Sequence, residues 1–280
     1  MTRLSVNDIK SVPSSIQEYD KILFDITGAS LKQIAAEATG PDANLASFEQ
    51  HEVAIIPVTS GLGKIDGFSE AVRAICNHLG FQAFVTGLPD VHGLAEAYES
   101  NADIIMMADD HLFAAINLRT KLVVDNTEAT AMGYTAALNF LVGGLSGKEV
   151  LLIGAGQLGR KAAKSLVELG ADIAIYDIDK SLELSLAKEL GSISKRSVRS
   201  GLKLDEALSR AYIIFDASSG SGFITREHVT EQTYVAAPGI PLGLDQDAFC
   251  KIKNRVVHDP LQIGVATMLY MSLIQNMESS

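Results

Sequence analysis

A chain of 280 residues has room for one large domain or two modest ones, and 47% hydrophobic content supplies a real core. A net charge of −11 with no basic tail argues against nucleic acid and anionic membrane surfaces as partners. Two cysteines, Cys76 and Cys250, form neither a disulfide framework nor a CxxC metal spacing, so no metal is expected; both read as buried thiols in a reducing cytoplasm.

Residues 1–17 contain no apolar h-region and do not read as a secretory signal. The first 45 residues read as helical. Ile16, Tyr19, Leu23 and Ile26 share one face, and Leu31, Ile34, Ala35 and Ala38 form a second stripe. Pro13 should end any earlier helix and leave residues 4–9 as a short separate piece. Strands are expected at 53–58, 83–86, 103–107 and 122–124, with helices at 69–79 and 92–99. This alternation predicts an α/β fold with parallel strands.

Two uncharged stretches, 129–147 and 260–277, reach membrane-span length. The first carries Thr130, Gly133, Asn139 and Gly143-Gly144; the second carries Gln262, Gly264, Thr267, Ser272 and Gln275. Both therefore read as buried helices of a soluble protein, lying along a domain junction. The second half adds strands at 150–153, 173–176, 212–215, 234–236 and 256–258, and a polar loop at 192–201 whose positive charges are expected to be solvated. Two domains are expected: an N-terminal helical plus α/β substrate-binding domain over 1–125, and a C-terminal Rossmann doubly wound parallel sheet over 126–280, with the final helix returning to the junction.

The most informative stretch is Val150-Leu-Leu-Ile-Gly-Ala-Gly-Gln-Leu-Gly159. A strand breaks into Gly154-x-Gly156-x-x-Gly159, enters a helix, and is followed by a second strand that ends in Asp177. Gly154 permits the turn, Gly156 lets main chain approach a pyrophosphate, and Gly159 lets helix and strand pack closely. Gln157 and Leu158 open the helix, whose N-terminal N–H groups attract phosphate. Asp177 has the position of the acid that accepts hydrogen bonds from ribose hydroxyls. A carboxylate there repels a 2′-phosphate, and Ile178-Asp179 brings no arginine, so NAD is favoured over NADP. FAD is compatible with this motif taken alone.

In doubly wound sheets ligands gather at the carboxyl ends of strands. In the first half those ends lead into Thr59-Ser60-Gly61-Leu62-Gly63, Asp109-Asp110-His111 and Asp125-Asn126-Thr127. In the second they lead into Asp216-Ala217-Ser218, Ala237-Pro238-Gly239 and His258-Asp259-Pro260. Asp109 is the candidate for a substrate ammonium, whereas Asp110 reads as a cap for the next helix. His111 reads as a surface residue or a local hydrogen-bond partner more readily than as a base. Ser218, Pro238 and Gly239 read as cofactor-lining.

Taken together these segments resemble the pyrrolysine-biosynthesis dehydrogenase family (PylD). The shared text is Ile-Ile-Pro-Val-Thr-Ser-Gly (55–61), Gly-Phe-Ser-Glu (67–70), Leu-Pro-Asp-Val (88–91), Met-Ala-Asp-Asp (107–110), the glycine motif, Ala-Pro-Gly-Ile-Pro (237–241), Asp-Pro-Leu-x-Ile-Gly (259–264) and Ala-Thr-Met-Leu-Tyr (266–270). The resemblance implies a substrate, lysine acylated at Nε by 3-methyl-D-ornithine, whose ornithine side-chain amine is oxidised with NAD. Imine hydrolysis, ammonia release and ring closure then give pyrrolysine. It implies that Leu4, Ser60, Phe68 and Asp109 line the substrate pocket, with Leu4 on a short helix that closes over it. A cytoplasmic enzyme is implied, and a homodimer is compatible with the sequence. The competing readings are a shikimate- or methylene-tetrahydrofolate-dehydrogenase-like enzyme, for which Lys64 is the one lysine near the relevant loops, and a non-catalytic NAD-binding redox sensor. The sensor lacks a basic DNA-binding segment.

Overall fold

The computed structural model describes residues 4–40 and 51–274. They fall into two compact units. The first comprises the chain to Phe24, Ser30–Gly133, and the chain from Leu261; the second comprises Asp25–Ala29 and Tyr134–Pro260.

The first unit opens with α1 (Val6–Ile9) and α2 (Val12–Thr27). Pro13 lies in the first turn of α2, where its missing N–H has no intrahelical role, so it starts that helix and leaves residues 4–9 separate. The far end of the short piece is anchored, because Ile9 is fully buried. In α3 (Leu31–Thr39), Ser30 and Gln33 close a reciprocal capping box. Asp20 on α2 accepts the Leu31 N–H at 2.6 Å and meets His78 Nε2 at 2.7 Å, tying α2 to α3 and to α4 (Phe68–His78).

The sheet of this unit runs β2 (Gln82–Val85), β1 (Glu52–Ile56), β3 (Ile104–Ala108), β4 (Phe113–Asn117), β5 (Val123–Asp125). Helix α5 (Asp90–Glu99) connects β2 to β3. β1, β2 and β3 are parallel as expected, and β5 runs in the same direction; only β4 is reversed, pairing antiparallel with both β3 and β5. β4 was not foreseen. Residues 109–112 are too few for a parallel crossover, so the chain must turn back beside β3. Asp110 therefore caps no helix.

Helix α6 (Asn126–Leu141) carries the chain onward to the second unit. The last helix, α11 (Gln262–Met271), belongs to the first unit and packs on α3 and α4. Every residue from Gln262 to Tyr270 is buried, which explains a stretch with no charged face. The division thus falls at Gly133/Tyr134 and Pro260/Leu261, so residues 126–133 and those after Pro260 do not group with the Rossmann sheet as the sequence reading had them. Residues 275–277 of the expected final helix lie outside the described residues.

The sheet of the second unit is wholly parallel. Its order is β11 (Val256–Val257), β10 (Tyr234–Ala236), β9 (Ile213–Asp216), β6 (Glu149–Ile153), β7 (Asp172–Tyr176), β8 (Val198–Arg199). The connecting helices are α7 (Gln157–Glu168), α8 (Lys180–Ile193), α9 (Leu204–Leu208) and α10 (Gln246–Ile252). The strand order reverses between β6 and β9, the switch point where such sheets bind ligands. Ile153, Ala174, Ile214, Val235 and Leu244 join one buried core there. The stretch 192–201 is largely exposed, and Lys195, Arg196 and Arg199 reach solvent as the sequence predicts. It holds β8, and its arginines are paired, Arg196 with Asp172 at 3.1 Å and Arg199 with Glu149 at 2.5 Å. No helix among the described residues is long and apolar enough to cross a membrane.

Candidate functional site

The glycine turn joins β6 to α7. Gly154 has φ +95, a left-handed conformation natural to glycine, and a Cβ there would come within 2.9 Å of the Ala217 carbonyl group. A Cβ on Gly159 would overlap the Gly154 carbonyl oxygen, so this glycine lets α7 start directly against the strand end. Gly156 differs: a Cβ there would meet nothing within 4 Å. The chain itself gives Gly156 no packing reason to be glycine, and a ligand seated on the open N-terminus of α7 does. No side chain caps that terminus, where Gln157 and Leu158 form the first turn. These residues fit the diphosphate of a dinucleotide.

Asp177 directly follows β7 beside this turn and is buried. Its Oδ2 accepts the Ala155 N–H at 2.6 Å, and its Oδ1 accepts the Asp179 N–H at 2.7 Å. The carboxylate is thus fastened to the glycine turn, and each oxygen keeps a second lone pair for a ribose hydroxyl. Ile178 is 90% exposed, so the chain beyond Asp177 opens to solvent.

Ser218 follows β9, and Pro238 and Gly239 follow β10. The Ser218 main chain lies between two glycines: its nitrogen, whose N–H donates to Asp216 Oδ1 at 3.0 Å, packs against Gly154, and its carbonyl lies where a Gly239 Cβ would fall. The structure therefore brings Gly154, Ser218 and Gly239 together. The Ser218 hydroxyl is engaged within the loop, donating to Asp216 Oδ1 at 2.7 Å and accepting the Gly220 N–H at 3.3 Å. Asp216 itself is buried, and burial pushes its carboxyl up to about 6 against the opposing pull of the Ser218 hydroxyl and N–H and of His258. His258 is turned by its Nδ1 contact to the Ala237 carbonyl at 2.7 Å.

At the carboxyl end of the first sheet, side chains shape the loops. Asp109 Oδ1 accepts the N–H groups of His111 and Leu112 at 2.7 and 2.8 Å, which hold its carboxyl below the usual carboxylate range. It is exposed and charged, and His111 enters as a local partner through its main chain. Asp110 reaches across to the turn after β1, where its Oδ2 accepts the Leu62 N–H at 2.7 Å over Gly61. Asp90, at φ 55, accepts both the N–H and the hydroxyl of Thr59. Ser60 thus sits on a turn strapped from two sides. Phe68 opens α4 and packs edge-on against Phe113, with ring centroids 5.2 Å apart. Leu4, half-buried, precedes α1.

Comparison with known proteins finds two family matches along the chain. Residues 8–124 match the family described as pyrrolysine biosynthesis protein PylD, N-terminal domain. Residues 136–240 match the shikimate / quinate 5-dehydrogenase family. The pyrrolysine synthase of Methanosarcina acetivorans is 32% identical over 270 residues, which is 96% of this chain and 99% of that protein. The chain belongs to the PylD family of pyrrolysine synthases. The pyrrolysine synthase of Methanosarcina barkeri is likewise 32% identical over 271 residues, 96% of this chain and 97% of its own. Among solved structures, quinate dehydrogenase from Corynebacterium glutamicum in complex with NAD aligns with TM-score 0.54 at 13% identity, over 81% of this chain and 95% of that one, a likeness of fold.

The straps of this PylD-family chain have no signal in the sequence alone. Asp90 lies inside the Leu-Pro-Asp-Val segment and Asp110 inside Met-Ala-Asp-Asp, but nothing local says which distant N–H each will reach. Phe113 as the partner of Phe68 was missed along with β4. Of the two cysteines, Cys76 is buried, its thiol pushed up to about 12 by burial, whereas Cys250 is exposed rather than buried. Lys64 is exposed on the segment between Ser60 and Phe68.

Proposed function

We propose that this chain performs the NAD-dependent oxidation of the ornithine side-chain amine of L-lysine-Nε-3-methyl-D-ornithine, with ammonia release and ring closure to pyrrolysine. The observation that carries this reading is the near full-length similarity to pyrrolysine synthases, joined to two strand-end sites suited to the two reactants. In this reading Gly154, Gly156, Gln157, Leu158 and Gly159 hold the diphosphate. Asp177 holds the ribose and disfavours a 2′-phosphate, and Ser218, Pro238 and Gly239 line the cofactor. Leu4, Ser60 and Phe68 bind the substrate, and Asp109 is its catalytic acid group.

The residues divide the chemistry as follows. Hydride leaves the amine carbon only when its nitrogen has a lone pair, so the bound ammonium must first lose a proton. Asp109 has Oδ1 committed to two N–H groups and offers Oδ2 to the ammonium; it either passes the proton to water or holds the cation while desolvation depresses the amine pKa. Phe68 and Phe113 present apolar surface to the alkyl chain and exclude water from it. Bound NAD supplies the hydride acceptor. The product imine takes up water and releases ammonia, and the aldehyde condenses with the neighbouring α-amine, losing water to close the ring.

The deciding experiment supplies purified protein with NAD and the lysyl-ornithine amide and follows NADH absorbance and ammonia. NADH formation with shikimate or another hydroxy acid, but none with the amide, would sink the proposal. A cytoplasmic homodimer belongs to the same reading, and light scattering on the purified protein tests the dimer.

A further inference from the structure

Directly behind Asp177 lies a carboxylate that the chemistry above leaves unused. Glu183 on α8 is fully buried, with 0% of its surface exposed. A buried charge is costly unless fully bonded, and this one takes three donors. Its Oε2 accepts the main-chain N–H of Asp177 at 3.0 Å and the Lys180 ammonium at 2.6 Å, and its Oε1 accepts the Gly201 N–H. Burial pushes the carboxyl up, but Lys180 and the two N–H groups outweigh that and keep it ionised. Lys180 is the first cation after Asp177 in the chain, and its side chain is 52% exposed. Its ammonium lies 4.2 Å from the centre of the Tyr176 ring, so it is held from two sides.

We propose that Glu183 is the positioning residue that sets dinucleotide selectivity: it fixes the main chain of Asp177 and retains Lys180 on Tyr176, away from the 2′ position of the ribose. The inference rests on the reading of Gly154–Asp177 as a dinucleotide site. It also gives the stretch 192–201 a role, since Gly201 supplies the third donor. Glutamine in this place has one acceptor oxygen where the carboxylate has two. One of the two main-chain N–H groups would lose its partner, Asp177 would loosen, and Lys180 would lose its counter-charge. A released ammonium beside the ribose edge is what a 2′-phosphate needs.

The test measures NAD and NADP dissociation constants by calorimetry on the full-length chain, with thermal melting to check folding. Four proteins are compared: wild type, Glu183→Gln, Lys180→Met, which keeps the stem over the Tyr176 ring, and the double variant. In Glu183→Gln, NAD binding should weaken about fivefold and the NAD-over-NADP preference should fall about tenfold, the tenfold step being 1.4 kcal/mol. In the double variant the relative gain for NADP should vanish while the NAD loss stays. Lys180→Met alone should keep the wild-type preference within about twofold, because a retained lysine touches neither cofactor. A folded Glu183→Gln protein with the wild-type preference overturns the proposal, as does a gain for NADP that survives in the double variant. Should Glu183→Gln fail to fold, Lys180→Met decides: NADP binding weakened more than about fivefold shows that Lys180 already reaches the phosphate, and the retention idea falls. Wild-type protein that binds neither dinucleotide refutes the cofactor reading itself, a result distinct from unchanged ratios.

Discussion

The two sheets build their strand-end sites by opposite means. In the second unit main chain presses on main chain: Gly159 on Gly154, Gly154 on the Ala217–Ser218 peptide, Ser218 on Gly239. In the first unit carboxylates reach out and tie loops down: Asp90 to Thr59, Asp110 to Leu62, Asp109 to His111 and Leu112. The contrast suits the ligands that the proposed function assigns to each. A diphosphate needs bare N–H groups and room for close approach, which glycine supplies. A cationic, flexible substrate needs charge held in a defined place, which strapped acidic loops supply. A site made of space is therefore broken by adding atoms, and a site made of straps by removing acceptors.

The largest effect expected is that of Gly159→Ala, whose Cβ would overlap a fixed carbonyl. It should destabilise the chain by about 3 kcal/mol, as overpacking does, and show as a lowered urea midpoint. Asp109→Asn should lower turnover of the lysyl-ornithine amide about a hundredfold, since it keeps the acceptor for the turn but loses the charge, while NAD affinity stays nearly intact. Wild-type turnover in that variant would leave Asp109 as a turn former only. Gly156→Ala is the counterpart of Gly159→Ala: with open space around it, stability should hold while NAD affinity drops about tenfold, measured by calorimetry. Should stability fall and affinity hold, Gly156 is structural after all.

Asp216 yields a pH-dependent difference. Its carboxyl ordinarily titrates at 3.8 and is raised to about 6 in the fold, so the folded chain binds the proton more tightly than the unfolded chain. The contribution of this group to stability is full below about pH 4, declines as pH rises to about pH 6, and is lost above that. Asp216→Asn keeps an acceptor for Ser218 and removes the decline. Near neutral pH it should be more stable than wild type by up to about 3 kcal/mol, and in acid the two should converge. Equal differences in urea unfolding at both pH values would contradict the assignment. The smallest expected effect is chemical: under native conditions a maleimide should label Cys250 and spare Cys76, whose thiol is buried and pushed up to about 12.

How legible each region was depends on the range of the interactions that make it. The glycine turn, its flanking strands and Asp177 were readable because a βαβ unit is contiguous and its constraints are steric and local. The two uncharged helices were readable as buried, because a helix with no polar face must be covered all round. The sequence did not say what covers α11. Only packing against α3 and α4 assigns it to the first unit, since apolar surface is non-directional and many partners would satisfy it. β4 was hidden because a five-residue strand beside a polar turn carries no period of its own, and pairing with β3 completes it. The acids show the limit most clearly. Asp90, Asp110, Glu183 and Asp216 are ordinary polar residues in the chain, each close to a turn or a helix start. Which became a strap, which was buried, and which shifted its titration was decided by N–H groups brought near from other elements and, for Asp216, by burial, because hydrogen bonds and desolvation act over ångströms in space and most of these partners leave no mark in sequence spacing.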